Sequence, residues 1–150
     1  MQAIKNKEAY FSFEILDSYE AGLVLTGQEV KSVKDGGLNL KGAYVTIKYS
    51  PAPELFLIGA HISAYKKAGP LPNYEPTRPR KLLVSKAEIK TLLGKLEQRG
   101  LTIVPLKVYT KRTLIKLEFG LAKGKKKFEK KAAKKKQDTD REIRRKLQQW

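Results

Sequence analysis

Residues 10–33 read YFSFEILDSYEAGLVLTGQEVKSV, and this stretch contains the pattern that decides the fold class. Two short segments in it, residues 10–16 and 20–25, are rich in aromatic and branched side chains, and Asp17-Ser18 lies between them. Such segments favour extended backbone, and the polar pair favours a turn. We therefore predict two strands joined by a turn, followed directly by a helix.

The signals for helices are capping boxes. Thr26 and Glu29 have the spacing at which the hydroxyl and the carboxylate each bind the other residue's backbone N–H, and Ser85 and Glu88 repeat it. Apolar residues follow the second box at the i, i+3, i+4, i+7 spacing of one helix face. That stripe consists of Ile89, Leu92, Leu93 and Leu96. Gly36-Gly37 and Gly100 are expected to end the two helices.

Further strands are indicated by alternation and by short apolar runs. The predicted strands are residues 43–49, 55–62, 81–84, 101–109 and 114–119, the last two forming a hairpin around Lys111-Arg112. Pro105 has no backbone N–H, so it indicates an edge or a bulge in its strand. Residues 66–80 contain four prolines and are expected to form an irregular exposed loop.

The order of these elements excludes a repeating strand–helix–strand architecture. Short antiparallel strands need their edges closed or covered, which favours a small barrel. We therefore predict a mainly β protein with two or three helices, built as a small antiparallel barrel related to the oligonucleotide-binding (OB) fold. We place this domain at residues 1–122 and a basic C-terminal tail at residues 123–150.

The tail is the most highly charged part of the chain. It contains thirteen basic and four acidic residues, which is +9 of the total net charge of +17. Such a run repels itself and cannot pack into a core, so it indicates a polyanionic partner, most often nucleic acid. Ile143, Leu147 and Trp150 recur at helical spacing, and we predict a marginal basic amphipathic helix that forms against a partner.

Several kinds of chemistry have little support. The 150 residues include no cysteine and one histidine, His61, so we expect no metal site and no cofactor. No phosphate-binding glycine loop or paired carboxylates are present, which disfavours an enzyme. No apolar run approaches the roughly 20 residues that span a bilayer, and the N-terminus lacks a signal-type apolar segment. We therefore expect a cytoplasmic protein with no membrane partner.

Glu20 is an acidic residue in a basic domain and has no local capping role. A carboxylate that faces RNA can accept hydrogen bonds from base amino groups or hold an arginine in place. The alternative interpretation, a solvated strand residue, is equally compatible with the sequence. Aromatic residues interleaved with basic ones offer stacking faces for unpaired bases, although most of them are expected to pack in the core.

Five segments together resemble the SsrA-binding protein (SmpB) family of bacterial trans-translation. They are Asn6-Lys7, residues 19–32 (YEAGLVLTGQEVKS), residues 76–83 (PTRPRKLL), residues 100–107 (GLTIVPLK) and residues 120–126 (GLAKGKK). They occur in order through nearly the whole chain. The resemblance implies an OB-related barrel that binds the tRNA-like domain of transfer-messenger RNA, one protein per RNA, and replaces the missing anticodon arm.

The resemblance also assigns functional residues. The RNA-contacting positions are Asn6, Lys7, Glu20, Leu83, Ser85, Lys123, Lys125 and Lys126. In the tail it implies contacts with the ribosomal decoding centre and the empty mRNA channel, formed by small-subunit RNA, through Phe128, Glu129, Lys130, Lys131, Ile143, Leu147 and Trp150. The tail is expected to be disordered when free and helical on the ribosome. Glu129 and Lys131 stand where the family commonly has Asp and Arg, and lysine lacks arginine's planar bidentate geometry.

Two other functions are compatible with a basic barrel. A structural ribosomal protein also combines a small barrel with a basic extension, and it would copurify with all ribosomes. A small RNA-processing enzyme would show turnover of RNA that depends on His61.

Overall fold

The computed structural model describes residues 1–98 and 100–125. Its helices are α1 (Lys7–Ser12), α2 (Gly27–Lys34) and α3 (Lys86–Leu96), with a short 3-10 turn at Lys66–Ala68. Its strands are β1 (Ile4–Lys5), β2 (Phe13–Leu23), β3 (Leu38–Asn39), β4 (Tyr44–Lys48), β5 (Glu54–Ile58), β6 (His61–Ile62), β7 (Arg80–Leu83), β8 (Leu101–Lys111) and β9 (Leu114–Gly124).

Seven of these strands form one antiparallel sheet in the order β1-β8-β9-β2-β7-β5-β4. The sheet curls so that β4, at one end of this order, packs against β8 near the other end. Strands β3 and β6 pair separately. The curled sheet makes the small antiparallel barrel that was predicted, and its mainly β composition with three helices confirms the predicted fold class.

The barrel interior is filled by alternate residues of the long strands and by one face of each longer helix. Leu55, Leu57, Val108, Leu117 and Phe119 have no exposed surface. Ile89 and Leu92, half of the predicted apolar stripe of α3, are also buried. Since inward and outward side chains alternate along a strand, the residues between these buried positions face outwards.

The N-terminal part of the predicted first strand is helical, so that prediction was wrong. Residues 7–12 form α1, whose Ala9 packs with Val104, Leu106 and Ala122 in a second small core on the outside of the β8–β9 hairpin. Helix α1 covers that part of the hairpin, and this explains why residues 103–106 are buried on both faces. Tyr10 and Phe11 therefore lie in the helix, whereas Phe13 and Ile15 pair with β9 as part of a strand.

The predicted turn at Asp17-Ser18 was also wrong, because β2 runs without interruption through both residues. The pairing of β2 with β9 shifts register between Ile15 and Asp17, so the polar pair lies beside a bulge. Asp17 accepts hydrogen bonds from Lys95 Nζ at 2.6 Å and from the Tyr19 hydroxyl at 3.2 Å. A bulge supported by these partners accommodates residues that otherwise favour turns.

The Thr26 capping box and the proline bulge follow the predictions, whereas at Ser85 only the cap bond forms and the reciprocal bond with Glu88 is absent. Thr26 and Glu29 form the complete capping box of α2, and the Ser85 hydroxyl accepts a hydrogen bond from Glu88 N at the start of α3. Strand β8 shifts register against β9 between Pro105 and Lys107, which is the bulge that the proline indicated. Gly59 has a φ of +79° and divides the predicted strand 55–62 into β5 and β6.

The expected boundary after residue 122 falls inside β9. Lys123 pairs with Glu14 on one side and Leu101 on the other, and Lys125 N donates to Ser12 O at 3.0 Å. A strand is held by its backbone ladder, so exposed lysine side chains near its end do not end it. No helix within residues 1–98 and 100–125 is long and apolar enough to cross a membrane.

Candidate nucleic-acid interface

The central strands place a polar strip on the outside of the barrel. Strand pairing puts Leu83 opposite Gly22, Gly22 opposite Lys116, and Lys116 opposite Tyr109. Directly opposed residues share a face of the sheet, so these four positions form one row across β7, β2, β9 and β8. Glu20 lies two residues before Gly22 and therefore on the same face, next to this row.

Glu20 is held in this strip by two partners from β8. The Tyr109 hydroxyl donates a hydrogen bond to Glu20 Oε2, and Lys111 Nζ donates to Glu20 Oε1 at 3.2 Å. The hydrogen bonds from Tyr109 and Lys111 lower the pKa of Glu20 below its usual range, so it is a carboxylate at neutral pH. Burial and the Glu20 carboxylate raise the pKa of Tyr109, which keeps its hydroxyl protonated as a donor.

Leu83 and Ser85 lie at the same end of the barrel as Glu20. Leu83 is 57% exposed although it is apolar, and it ends β7 opposite Gly22. Ser85, two residues later, is exposed and caps α3. Both residues line an apolar groove of about 710 Å³ between β7, α3 and the β4–β5 turn, which Lys81, Lys86 and Lys90 border.

The predicted lysines form a separate group beside α1. Lys7 is the exposed first residue of that helix, and Lys125 Nζ donates to Tyr10 O at 3.2 Å. Lys123 is exposed near the end of β9, five residues beyond Glu118, the residue opposite Glu20. That separation is about 17 Å along the strand. Because five is an odd number, Lys123 lies on the opposite face of β9 from Glu118, so the structure places the predicted residues of the domain in two separate groups.

Asn6 has a structural role in the fold. Its side chain is buried, Nδ2 donates to Pro105 O at 2.9 Å, and its backbone N donates to Leu106 O at 2.8 Å. These bonds tie the start of α1 to the β8 bulge. Contact between Asn6 and RNA stays a prediction, as do the RNA contacts of the other positions.

The remaining predicted site residues lie outside the described part of the chain. They are Lys126, Phe128, Glu129, Lys130, Lys131, Ile143, Leu147 and Trp150.

The sequence patterns did not identify the partners of two acidic residues. Nothing in the spacing of Tyr109 and Lys111 connects them to Glu20, because the contact exists only through the register of β2, β9 and β8. Glu29 was assigned a capping role alone. Its side chain has no exposed surface and also binds Arg78, Arg80 and the Tyr74 hydroxyl. The closely spaced arginines of residues 76–83 were the available signal for this cluster.

The Glu29 cluster anchors the proline-rich loop. Arg80 Nη1 donates to Ala60 O and Pro76 O, both at 2.8 Å, and the single Tyr74 hydroxyl proton is shared between Ile62 O at 2.8 Å and Glu29 Oε2 at 3.0 Å. Burial by itself would raise the pKa of Glu29, but hydrogen bonds from Arg78, the Thr26 backbone, Arg80 and Tyr74 lower it to about 2. The loop is therefore fastened at the point where β7 begins and leads to Leu83.

The surroundings of His61 give no support for a catalytic or metal-binding role of this residue. His61 is exposed on β6 and pairs through its backbone register with Asn39. Within the described ranges, no three or more His, Cys, Asp or Glu residues are grouped so that they could hold a metal ion.

Comparison with known proteins identifies the family. The SmpB protein family model matches residues 3–149. An SsrA-binding protein from Trichodesmium erythraeum is 44% identical over 97% of this chain and 91% of its own length. One from Cupriavidus necator is 47% identical over 95% and 93%, and one from Sulfurihydrogenibium sp. is 49% identical over 92% and 88%.

A solved structure agrees with this assignment. A chain from a study described as "tmRNA-SmpB: a journey to the center of the bacterial ribosome" is 42% identical and superimposes with a TM-score of 0.66, over 87% of this chain and 93% of that one. The likeness confirms the predicted fold class by comparison with a solved relative. On these matches in sequence and structure, the chain belongs to the SmpB family of SsrA-binding proteins.

Proposed function

We propose that this protein binds the tRNA-like domain of transfer-messenger RNA and delivers it to stalled ribosomes for trans-translation. The observation that carries the proposal is the near full-length match to proteins named for SsrA binding. The solved relative, whose description names tmRNA and the bacterial ribosome, supports both partners. In this function the protein takes the place of the missing anticodon arm, and it works in the cytoplasm with one copy per RNA.

The barrel offers two separate groups of residues for RNA contact. Near α1, Lys7, Lys123 and Lys125 supply positive charge that pairs with phosphates without regard to sequence. At the other place, Glu20, Leu83 and Ser85 combine an anion, an apolar surface and a hydroxyl. These groups bind base edges and sugars better than phosphates. We therefore propose that they set the orientation of the protein on the RNA.

The proposal gives the segment after the barrel a separate task. Residues 123–150 carry more than half of the net charge, and we propose that they enter the empty mRNA channel and report that no message is present. Phe128, Glu129, Lys130 and Lys131 would then meet the decoding centre, and Ile143, Leu147 and Trp150 would form the apolar face of a helix in the channel. The protein acts in this scheme by binding, without catalysis of its own.

Deletion of residues 127–150 tests this division of tasks. The shortened protein should bind the isolated tRNA-like domain with an affinity within a few-fold of the full chain, but it should fail to support tagging on stalled ribosomes in a reconstituted translation system. Full tagging activity by the shortened protein would contradict the role of the tail. If the protein instead copurifies in stoichiometric amounts with all ribosomes, stalled or translating, that result would favour a structural ribosomal protein.

A further inference from the structure

The apolar stripe of α3 is wider than the barrel core requires. Leu92 and Leu96 belong to the main core cluster of the described residues or pack against it. Ile89 and Leu93, the other two members of the stripe, line the groove of about 710 Å³ between α3, β7 and the β4–β5 turn. Leu93 is only half-buried, so part of its apolar surface faces this groove. The helix therefore has an apolar side that lies outside that cluster.

The walls of the groove are aliphatic. Pro53 lines it from the β4–β5 turn, and Leu83 and Val84 line it from the end of β7 and the residue after it. None of the described residues that line the groove is aromatic, and the polar ones are Glu54, Ser85 and three lysines. Bases are bound by stacking and by hydrogen bonds to their edges, so these walls suit aliphatic side chains better than a nucleobase.

The rim of the groove carries positive charge that the fold does not neutralise. Lys81 Nζ binds Glu54 Oε1 at 3.3 Å, so the acidic residue of the lining already has a partner. Lys86 and Lys90 are exposed and form no ion pair with another described residue. They stand one turn apart on the side of α3 that lines the groove. A ligand with carboxylates beside its apolar side chains would match the walls and the rim together.

We propose that this groove is the docking site for an acidic amphipathic helix of a protein partner. Lys86, Ile89, Lys90 and Leu93 occupy positions i, i+3, i+4 and i+7, which form one face of α3. A helix laid along this face would place aliphatic anchors in the groove and carboxylates beside the two lysines. The face is about 10 Å long, which suits a small and transient contact. The inference goes beyond RNA binding and does not depend on the proposed function.

A synthetic helix provides the test. The probe is a fluorescent peptide of about 18 residues, since shorter isolated helices are marginal in water. It has leucines at i, i+3, i+4 and i+7 and glutamates on both sides of that stripe. A second peptide carries lysines in place of the glutamates, and a third has the composition of the first in scrambled order. Fluorescence anisotropy measures the binding of each peptide to the full-length protein.

Three variants are compared with the unaltered protein. Leu93→Asp places a charge on the wall of the groove, and the double variant Lys86→Glu/Lys90→Glu reverses the charge of its rim. The matched control is Lys66→Glu/Lys67→Glu, which reverses the same amount of charge at two exposed lysines of the 3-10 turn that do not line the groove. Thermal unfolding of every protein shows whether each variant is folded.

The unaltered protein should bind the glutamate peptide and should bind the scrambled peptide about 10-fold more weakly. Leu93→Asp should weaken binding of the glutamate peptide about 10-fold or more, because it removes an apolar contact and adds a like charge. The rim double variant should bind the lysine peptide more tightly than the glutamate peptide, a reversal of preference that complementary charges predict. The control double variant should still prefer the glutamate peptide.

Three results would overturn the inference. One is equal binding of the ordered and scrambled peptides, or no binding of either, because the groove would then not recognise an apolar stripe. Another is a control double variant that reverses its preference as the rim variant does, because net charge alone would then attract the peptides. The third is a Leu93→Asp protein that keeps the glutamate peptide but loses binding to oligouridine, or loses self-association in sedimentation. That result would assign the groove to RNA or to a second copy of the chain.

Discussion

Glu29 shows how a single residue can serve both a helix and a distant loop. It completes the capping box of α2 through Thr26 and pairs with Arg80, whose side chain is also fully enclosed. An enclosed charge is tolerable because the opposite charge and several hydrogen bonds replace the lost water. Every buried polar side-chain atom of the described residues has a hydrogen-bond partner, and this cluster is a large part of how that is achieved.

Glu29→Gln should therefore be strongly destabilising. The change leaves the Arg80 guanidinium enclosed without its counter-charge, which typically lowers the free energy of unfolding by about 3–5 kcal/mol. The matched control is Glu54→Gln, which breaks the Glu54–Lys81 ion pair, whose side chains are 34% and 44% exposed. In that control, the free energy of unfolding should fall by about 0–1 kcal/mol. Urea unfolding of both variants measures the difference, and equal losses would contradict the assigned role.

Acid should remove the contribution of Glu29. Its pKa is about 2 in the folded protein and near 4.5 in the unfolded chain, so the ionised form stabilises the fold fully above about pH 4.5. The contribution is lost as the pH falls towards 2, because the unfolded state takes up the proton first. The stability gap between the unaltered protein and Glu29→Gln should narrow over this range in urea titrations. A gap that is unchanged or wider at pH 2.5 would show that the carboxylate is not stabilised in the native state.

At the scale of elements, the start of α3 combines a structural role with a proposed binding role. The Ser85 hydroxyl accepts a hydrogen bond from Glu88 N at 3.2 Å, which is the ordinary N-cap bond. The same residue follows Leu83 at the Glu20 end of the outer strip. One side chain can serve both purposes, so a change at Ser85 alters the helix as well as the surface.

Two substitutions at Ser85 separate these roles. Ser85→Ala should lower the free energy of unfolding by about 1 kcal/mol, because it removes the cap. Ser85→Asn should keep the free energy of unfolding within about a few tenths of a kcal/mol of the unaltered protein, because asparagine caps helices as well as serine does. Chemical unfolding measures how much the cap contributes to stability, and the affinity for the tRNA-like domain measures how much the residue contributes to RNA binding. Weaker RNA binding by Ser85→Ala with full binding by Ser85→Asn would assign the residue to both tasks. If both variants bind as the unaltered protein does, capping is its whole role.

At the scale of the whole molecule, a net charge of +17 on 150 residues should control association with RNA. Each phosphate that a cation neutralises releases condensed counterions, so log affinity falls against log salt with a slope of about −0.7 to −0.9 per contact. Several contacts would reduce affinity by about a thousandfold or more between 50 and 200 mM salt. Filter binding across this range measures the slope, and a flat response would contradict an electrostatic mechanism.

A single lysine should change that slope by a predictable amount. Lys123→Gln should reduce its magnitude by about 1, because it removes one proposed phosphate contact. Lys34→Gln is a suitable control, since Lys34 ends α2 and lies outside both groups of predicted residues. Equal effects of the two changes would show that net charge acts without regard to position.

Local signals in the sequence determined the elements whose causes are local. The capping box at Thr26, the N-cap at Ser85, the apolar stripe of α3, the β8–β9 hairpin and the Pro105 bulge all depend on residues a few positions apart, and each was predicted correctly, although the box at Ser85 lacks the reciprocal Glu88 bond. The fold class followed from them, since short antiparallel strands without a repeating strand–helix–strand order have few ways to hide their edges. The motifs that indicated the family were readable for the same reason.

Contacts between distant residues decided the rest. Residues 10–12 became helical because α1 covers the outside of the β8–β9 hairpin, and Asp17 remained in β2 because Lys95, 78 positions away, supports the bulge there. The same is true of Glu20, whose partners are 89 and 91 positions away and meet it only through the register of three strands. Local preference amounts to a fraction of a kcal/mol per residue, and burial and long-range hydrogen bonds outweigh it wherever the folded chain brings such partners together.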